Sequence, residues 1–233
     1  MKLRLKSIPK YVGFFSELRR YQKMAGAEKV AWRDLYPCFD ERTATTSFDT
    51  HYFYQDIWAF RKVLESGVKA HVDVGSKVDY AGFLSTITHL TFIDIRPLTT
   101  DLPTLEGKAG SVLAMPYPDD SIPSLSCLHV AEHVGLGRYG DPMDPLGTAK
   151  ACSELRRVLA RGGSLYFGLP VGKPRVCFNA HRIHSSEQIL GYFEGLKLVE
   201  FALVDDGGHF RRNEKPEAGT AQKYGCGLFH FTK

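Results

Sequence analysis

Residues 70–95 read AHVDVGSKVDYAGFLSTITHLTFIDI, and this stretch decides the fold. AHVDVG is a short β-branched run ending on an acidic residue and a glycine, and HLTFIDI is a second apolar run that again ends on an aspartate, Asp94. Two parallel strands are implied, with a helix between them. Gly75 stands where the first strand turns into that helix, and Asp94 follows close to the ~20-residue interval at which an acidic residue grips ribose hydroxyls. Glycine lets a backbone approach a ligand, and a carboxylate at Asp94 can accept both ribose hydroxyl protons. This argues for nucleoside recognition and says nothing of the group transferred. GSKVDYAG supplies Gly75 and Gly82 but lacks the close-set glycines of a pyrophosphate cradle, and no GxxxxGKS or GxxxxGKT phosphate loop occurs. Taken alone, DVG also reads as a strand ending in a polar turn.

Working outward, FDTHYFYQDIWAFRKVLES puts Tyr52, Ile57, Phe60 and Leu64 near helical spacing, with Gly67 as its stop. Downstream, SLSCLHV reads as a buried strand and GTAKACSELRRVL as an amphipathic helix closed by Gly162 and Gly163. SLYFGLP is the next strand, stopped by Pro170. After a loop rich in charge and histidine, Ser185 to Gln188 forms a capping-box pattern opening a helix, and LKLVEFALV and CGLFHFT supply two closing strands that suggest an antiparallel pair. Strands alternating with helices predict an α/β, doubly wound, mainly parallel sheet with an antiparallel C-terminal strand pair. Its ligand crevice lies beyond the carboxyl ends of the strands. That rule selects Asp73, Gly75, Asp94, the loop from Ser111 to Asp120, and His129 through Asp144.

The 233 residues, 43% hydrophobic and 24% charged, suit one ordinary domain with an appendage and exclude a disordered or low-complexity scaffold. The formal charge of +4 is unevenly spread. Residues 1–33 hold nine basic residues against Glu17 and Glu28, a local +7, so the rest balances to −3. A basic N-terminal extension, partly helical around PKYVGFFSELRRYQKM, is therefore expected over residues 1–45, ahead of an α/β domain over 46–233. The domain carries no nucleic-acid footprint. If the arm has a partner, an acidic surface is expected, either a lipid headgroup layer or another subunit. Five cysteines without CxxC spacing read as reduced thiols, and no window approaches membrane-spanning length, so a cytoplasmic location is expected.

SVLAMPYPDDSIPSLSCLHVAEHV followed by ELRRVLARGGSLYFGLP resembles the class I S-adenosylmethionine-dependent methyltransferases. In these a loop of the form LPFPDNSFD precedes the fourth strand and an ELxRVLxPGG helix end precedes the fifth. With AHVDVGS and FIDI the resemblance covers roughly residues 70–205. More closely, HVDVGS, HVAEHVGLGRYGDPMDPLG and FNAHRIHSSEQIL resemble a family described as a methyltransferase-like domain of unknown function. The resemblance implies S-adenosylmethionine as cofactor, with Asp73, Gly75 and Ser76 at its methionine end, Asp94 on the ribose, Ile95 beside the adenine, and Ser111 and Val112 near the adenine amino group. Two departures stand out: the second glycine of the family's GxGxG is lost in Gly75-Ser76-Lys77, and Ser111 or Val112 occupies a position that is often acidic.

A hydroxyl acceptor needs a base. His129, with Glu132 and His133 nearby, is the best-placed candidate, and His181 is the reserve. The polar loops offer Arg138, Tyr139, Asp141 and Asp144, then Arg175, Asn179, His181 and Arg182, which suit a small polar acceptor such as a sugar or glycoconjugate precursor. A degenerate methyltransferase fold acting as a non-catalytic binding module is the alternative. HVAEH also matches the H-x-x-E-H zinc hydrolase motif, a remote reading because a strand ending near His129 aims the two histidines apart. No metal ligand set is expected.

Overall fold

The computed structural model describes residues 8–233, which divide into two units meeting at Phe48 and Asp49. Lys2, Arg4 and Lys6 of the basic arm lie outside the described residues. The first unit contains α1 (Ile8–Gln22), none of whose residues is buried, and a short 3-10 turn at Trp32–Asp34. Within it Arg42 grips Glu17 through two bonds of 2.7 and 2.6 Å, and Tyr11 meets Phe39 edge-on at 4.8 Å.

The second unit runs α2 (Thr50–Ser66), β1 (Ala70–Val74), α3 (Val78–Leu84), β2 (His89–Asp94), β3 (Leu105–Ala109) and β4 (Ile122–Leu128). It continues with α4 (Gly147–Val158), β5 (Leu159–Val171), β6 (Arg175–Cys177), β7 (His181–Ile183), α5 (Ser186–Tyr192), β8 (Lys197–Val204), β9 (Phe210–Arg211), α6 (Glu217–Thr220) and β10 (Gly225–Thr232). Eight strands form one sheet in the order β3-β2-β1-β4-β5-β10-β8-β9. The first five are parallel neighbours, whereas β10 pairs antiparallel with both β5 and β8. The chain leaves β1 toward β2 and β3, then returns to lay β4 on the other side of β1. The topological switch point, where crevices open in such sheets, therefore lies between β1 and β4.

Both sheet faces are covered, which is why the central strands read as continuous apolar runs. Strand alternation sends Leu165, Phe167 and Leu169 into one core cluster with Ala151, Leu155 and Ile189 of α4 and α5. The intervening Tyr166 joins Trp58, Val63, Tyr80 and Leu84 of α2 and α3 on the other face. Asp49 caps α2 by accepting from the amides of His51 and Tyr52, Gly67 ends it in the left-handed conformation, and the Ser185–Gln188 capping box opens α5 as expected.

Four local expectations need correction. The buried face of α2 is Gln55, Trp58, Ala59 and Val63, while Leu64 is exposed, because the helix meets the sheet along the stripe beside the apparent Tyr52–Leu64 one. Gly162 and Gly163 do not close α4: Leu159 ends it, and both glycines lie inside β5, where Gly162 donates to Lys233 O and Lys233 donates back to Gly163 O. Pro170 does not stop β5, which continues to Val171; the proline lies opposite Cys226 of β10. The charged loop after β5 contains the β6–β7 hairpin, too short for alternation to reveal.

Candidate functional site

Asp73, next to last in β1, is completely buried. Its Oδ1 accepts the Ser76 amide at 3.1 Å and its Oδ2 the Ser76 hydroxyl at 2.7 Å, while Ser126 of β4 also donates to Oδ2. Ser76 Oγ in turn accepts the Leu128 amide at 3.1 Å, so this serine ties the turn after β1 to the end of β4. Because Ser126 spends its proton on Asp73, the Nε2 of His71 must donate to Ser126, at 2.8 Å. Its Nδ1 then accepts from Ser124 at 2.7 Å. Burial pushes His71 down to about 3, keeping it neutral, and pushes Asp73 up to about 6 against the pull of its serine bonds. Asp73 and Ser76 therefore underpin the crevice rather than line it, a correction to their expected place beside the methionine end.

Above them the chain turns at Gly75, whose φ of +63° suits glycine, and whose amide continues the ladder to Ile93 O at 2.8 Å. A Cβ there would sit 3.4 Å from both Asp94 Oδ2 and the Val130 methyls, so the missing side chain is part of the opening. Asp94 accepts the Arg96 amide at its Oδ1, 2.7 Å away. The cavity that opens here measures about 420 Å³, within the range of small-molecule sites. Of the residues expected on the cofactor, Gly75, Asp94, Ile95, Ser111 and Val112 line it; so do His129, His133, Tyr139 and Asp141. Ser111 Oγ accepts the Leu113 amide at 3.1 Å. The sequence did not single out Arg96, whose guanidinium lies 4.7 Å from the Tyr139 ring while Arg138 lies 5.1 Å from it, so that Tyr139 is gripped by cations from two elements.

The HVAEH segment is not one helix. His129 follows β4 with φ +56°, and Ala131–His133 is a single 3-10 turn, so the two histidines do not take the i, i+4 arrangement of the zinc hydrolase motif. His129 Nδ1 bonds the Gln55 side-chain oxygen and its Nε2 has no partner; burial pushes it down to about 3. His133 lines the cavity with Nδ1 2.6 Å from Ala180 O, which fixes the proton on Nδ1. Its Nε2 lies 3.6 Å from Oε1 of Glu132. Glu132 does not line the cavity: it is fully buried, both carboxylate oxygens lack a hydrogen-bond partner, and burial pushes it up to about 8. Burial also holds His133 down, at about 4.

The loop that follows is clamped down. Gly147 passes so close to Val134 that a Cβ would lie 2.2 Å from its carbonyl oxygen. Arg182, expected on substrate, instead donates to Val134 O at 2.5 Å and Asp144 O at 2.9 Å. Asp141 accepts the Gly135 amide at 2.6 Å and the Tyr139 amide at 3.3 Å. Arg175 is likewise spent, on Lys223 O at 2.7 Å, and Arg138 donates to Ala180 O at 3.1 Å. Asn179 is exposed, and His181 lies 6.4 Å from the His133 ring and 5.3 Å from that of Tyr224.

A family model described as "Caenorhabditis protein of unknown function, DUF268" matches residues 120–206. No curated protein matches the chain by sequence. Among solved structures, the N-methyltransferase NodS of Bradyrhizobium japonicum in complex with S-adenosyl-L-homocysteine is 16% identical over 93% of this chain and 96% of its own, with a TM-score of 0.52. A TehB-like S-adenosylmethionine-dependent methyltransferase of Corynebacterium glutamicum is 14% identical over 97% and 99%, at 0.50. The cyclase SpnF is 15% identical over 76% and 81%, at 0.54. The chain thus has the class I methyltransferase fold, and the presence of a cyclase beside the methyltransferases shows that the fold alone does not name a reaction.

Proposed function

We propose that this protein transfers a methyl group from S-adenosylmethionine to a hydroxyl of a small polar acceptor, of the class of a sugar or glycoconjugate precursor. The observation that carries this reading is the cavity between β1, β2 and β4, where the open space at Gly75 faces Asp94 Oδ2 on one side and His133 stands on another.

The residues present fit the cofactor. Asp94 would take the ribose hydroxyls, the backbone at Gly75 would admit the chain beside them, Ile95 and Val112 would flank the adenine, and Ser111 would replace the usual acid with a weaker polar contact. When bound, the cofactor supplies a sulfonium-activated methyl group. The protein's own work is alignment and proton removal. His133, with Nδ1 tied to Ala180 O, offers Nε2 as the acceptor of the hydroxyl proton, and Glu132 beside it stabilises the imidazolium once its own proton is gone. His129 is the poorer base, being deeply buried and pushed to about 3. Tyr139, Asp141, Asn179 and His181 remain to meet the acceptor.

A cofactor-binding module without turnover is the second reading, favoured by the missing acid at Ser111. Calorimetric titration of S-adenosylmethionine tests both. One-to-one binding is expected, weakened by Asp94→Ala about tenfold or more, the loss of a charge-assisted contact. No heat and no thermal stabilisation at millimolar ligand would overturn the cofactor assignment; binding without turnover over a panel of hydroxylated acceptors would favour the module.

A further inference from the structure

We propose that His51, His129 and Cys226 form a three-ligand site for a zinc-class divalent ion beside the cavity that His129 lines. The three come from separate elements: His51 from the first turn of α2, His129 from the residue after β4, and Cys226 from the start of β10. One ring nitrogen of each histidine and the Cys226 sulfur lie within 4.8 Å of one another. Zinc–nitrogen bonds of about 2.0–2.1 Å and a zinc–sulfur bond of about 2.3 Å set tetrahedral ligand atoms roughly 3.3–3.8 Å apart, so side-chain rotation closes the shell.

Three independent features point to a cation. Gln55 Oε1 accepts from His129 Nδ1, the outer-shell contact that orients a metal-ligating imidazole, and it leaves a buried Nε2 with a free lone pair and no partner. Glu132 adds a carboxyl group that is fully buried with neither oxygen bonded. Two neutral imidazoles and one thiol are borderline-soft donors that suit zinc and disfavour magnesium or calcium. Binding is a proton exchange: the Cys226 thiol loses its proton to solvent as the sulfur–metal bond forms. Three protein ligands leave a fourth position for water or an acceptor oxygen.

The site shares His129 with the H-x-x-E-H motif but does not use its second histidine, His133. It stands on these side chains and does not rest on methyl transfer, although a ligated His129 leaves proton removal to His133.

The full-length protein, stripped with chelator, is titrated with Co²⁺ as a spectroscopic probe and then with Zn²⁺. The expected result is stoichiometric binding with a thiolate-to-cobalt charge-transfer band and the strong visible absorption of four-coordinate cobalt, both erased by zinc. Cys226→Ser removes the charge-transfer band, His51→Gln weakens binding at least tenfold, and Cys38→Ser and Cys177→Ser leave both unchanged. His51 is only partly buried, so its variant keeps the test decisive if Cys226→Ser fails to fold. Absence of stoichiometric cobalt, or a band that survives Cys226→Ser or is unmoved by His51→Gln, would overturn the site. Metal binding without S-adenosylmethionine binding would leave it standing and sink the cofactor assignment; the reverse pattern would sink the site alone.

Discussion

In the proposed reaction, Glu132 is the residue on which proton removal turns. A carboxyl raised to about 8 in the folded metal-free protein, against 4.5 for an ordinary one, keeps its proton through neutrality. Folding then becomes less favourable as pH rises from about 4.5 to 8, because the folded state binds a proton that the unfolded state has released. Glu132→Gln should therefore stabilise the metal-free protein, by an amount that grows across that window and levels off above pH 8; denaturant melts at pH 5, 7 and 9 would show it. The same substitution should remove a rise in methyl-transfer rate through pH 8 and lower the rate at pH 9 by about a hundredfold. A parent profile flat through pH 8 would take Glu132 out of proton removal. Glu132 and His133 were legible as chemistry-bearing residues because H-x-x-E-H is conspicuous. That Glu132 lies buried without a partner was not, since burial depends on what packs over it.

Between residue and fold stands the segment from Val134 to Gly147, which carries Tyr139 and Asp141 to the cavity and is held by a close backbone approach and by side chains that grip its main chain. Gly147 meets Val134 O, and Arg182 binds two of the segment's carbonyls. Gly147→Ala forces a methyl into backbone that cannot yield, so a loss of about 1–3 kcal/mol is expected, with a weakened KM for acceptor rather than a collapse of the fold. Equilibrium unfolding and steady-state kinetics check it, and wild-type stability would show that the segment gives way freely. This use of Arg182 explains a misreading: an arginine in a polar loop looks like a substrate clamp until its carbonyl partners are seen. Strand β3 escaped sequence reading for a related reason, because LEGKA is polar and half-exposed at the sheet edge.

At the scale of the whole molecule, every buried residue of both core clusters lies between Trp58 and Phe231. A chain starting at Asp49 should therefore fold alone, with a cooperative thermal transition and far-UV circular dichroism of a mixed α/β domain; a molten profile would show that the first unit is needed for folding. No residue of the described helix in that first unit is buried, and no helix among the described residues is long and apolar enough to cross a membrane.

The sequence by itself determined the class of sheet, mainly parallel and doubly wound, and its antiparallel close. Those follow from period-2 runs, helix caps and the aspartate-glycine ends of strands, all of which are local physics. It also marked Gly75, Asp94, Ser111 and His133 for the crevice, since chain direction in a parallel sheet fixes which strand ends meet. The tertiary structure alone decided that Asp73 and Ser76 lie beneath the cavity, that Arg175 and Arg182 are spent on carbonyls, and that His51 and Cys226, 175 positions apart, converge on His129. Burial and hydrogen-bond partnership are set by contacts distant in sequence, and no local pattern records them.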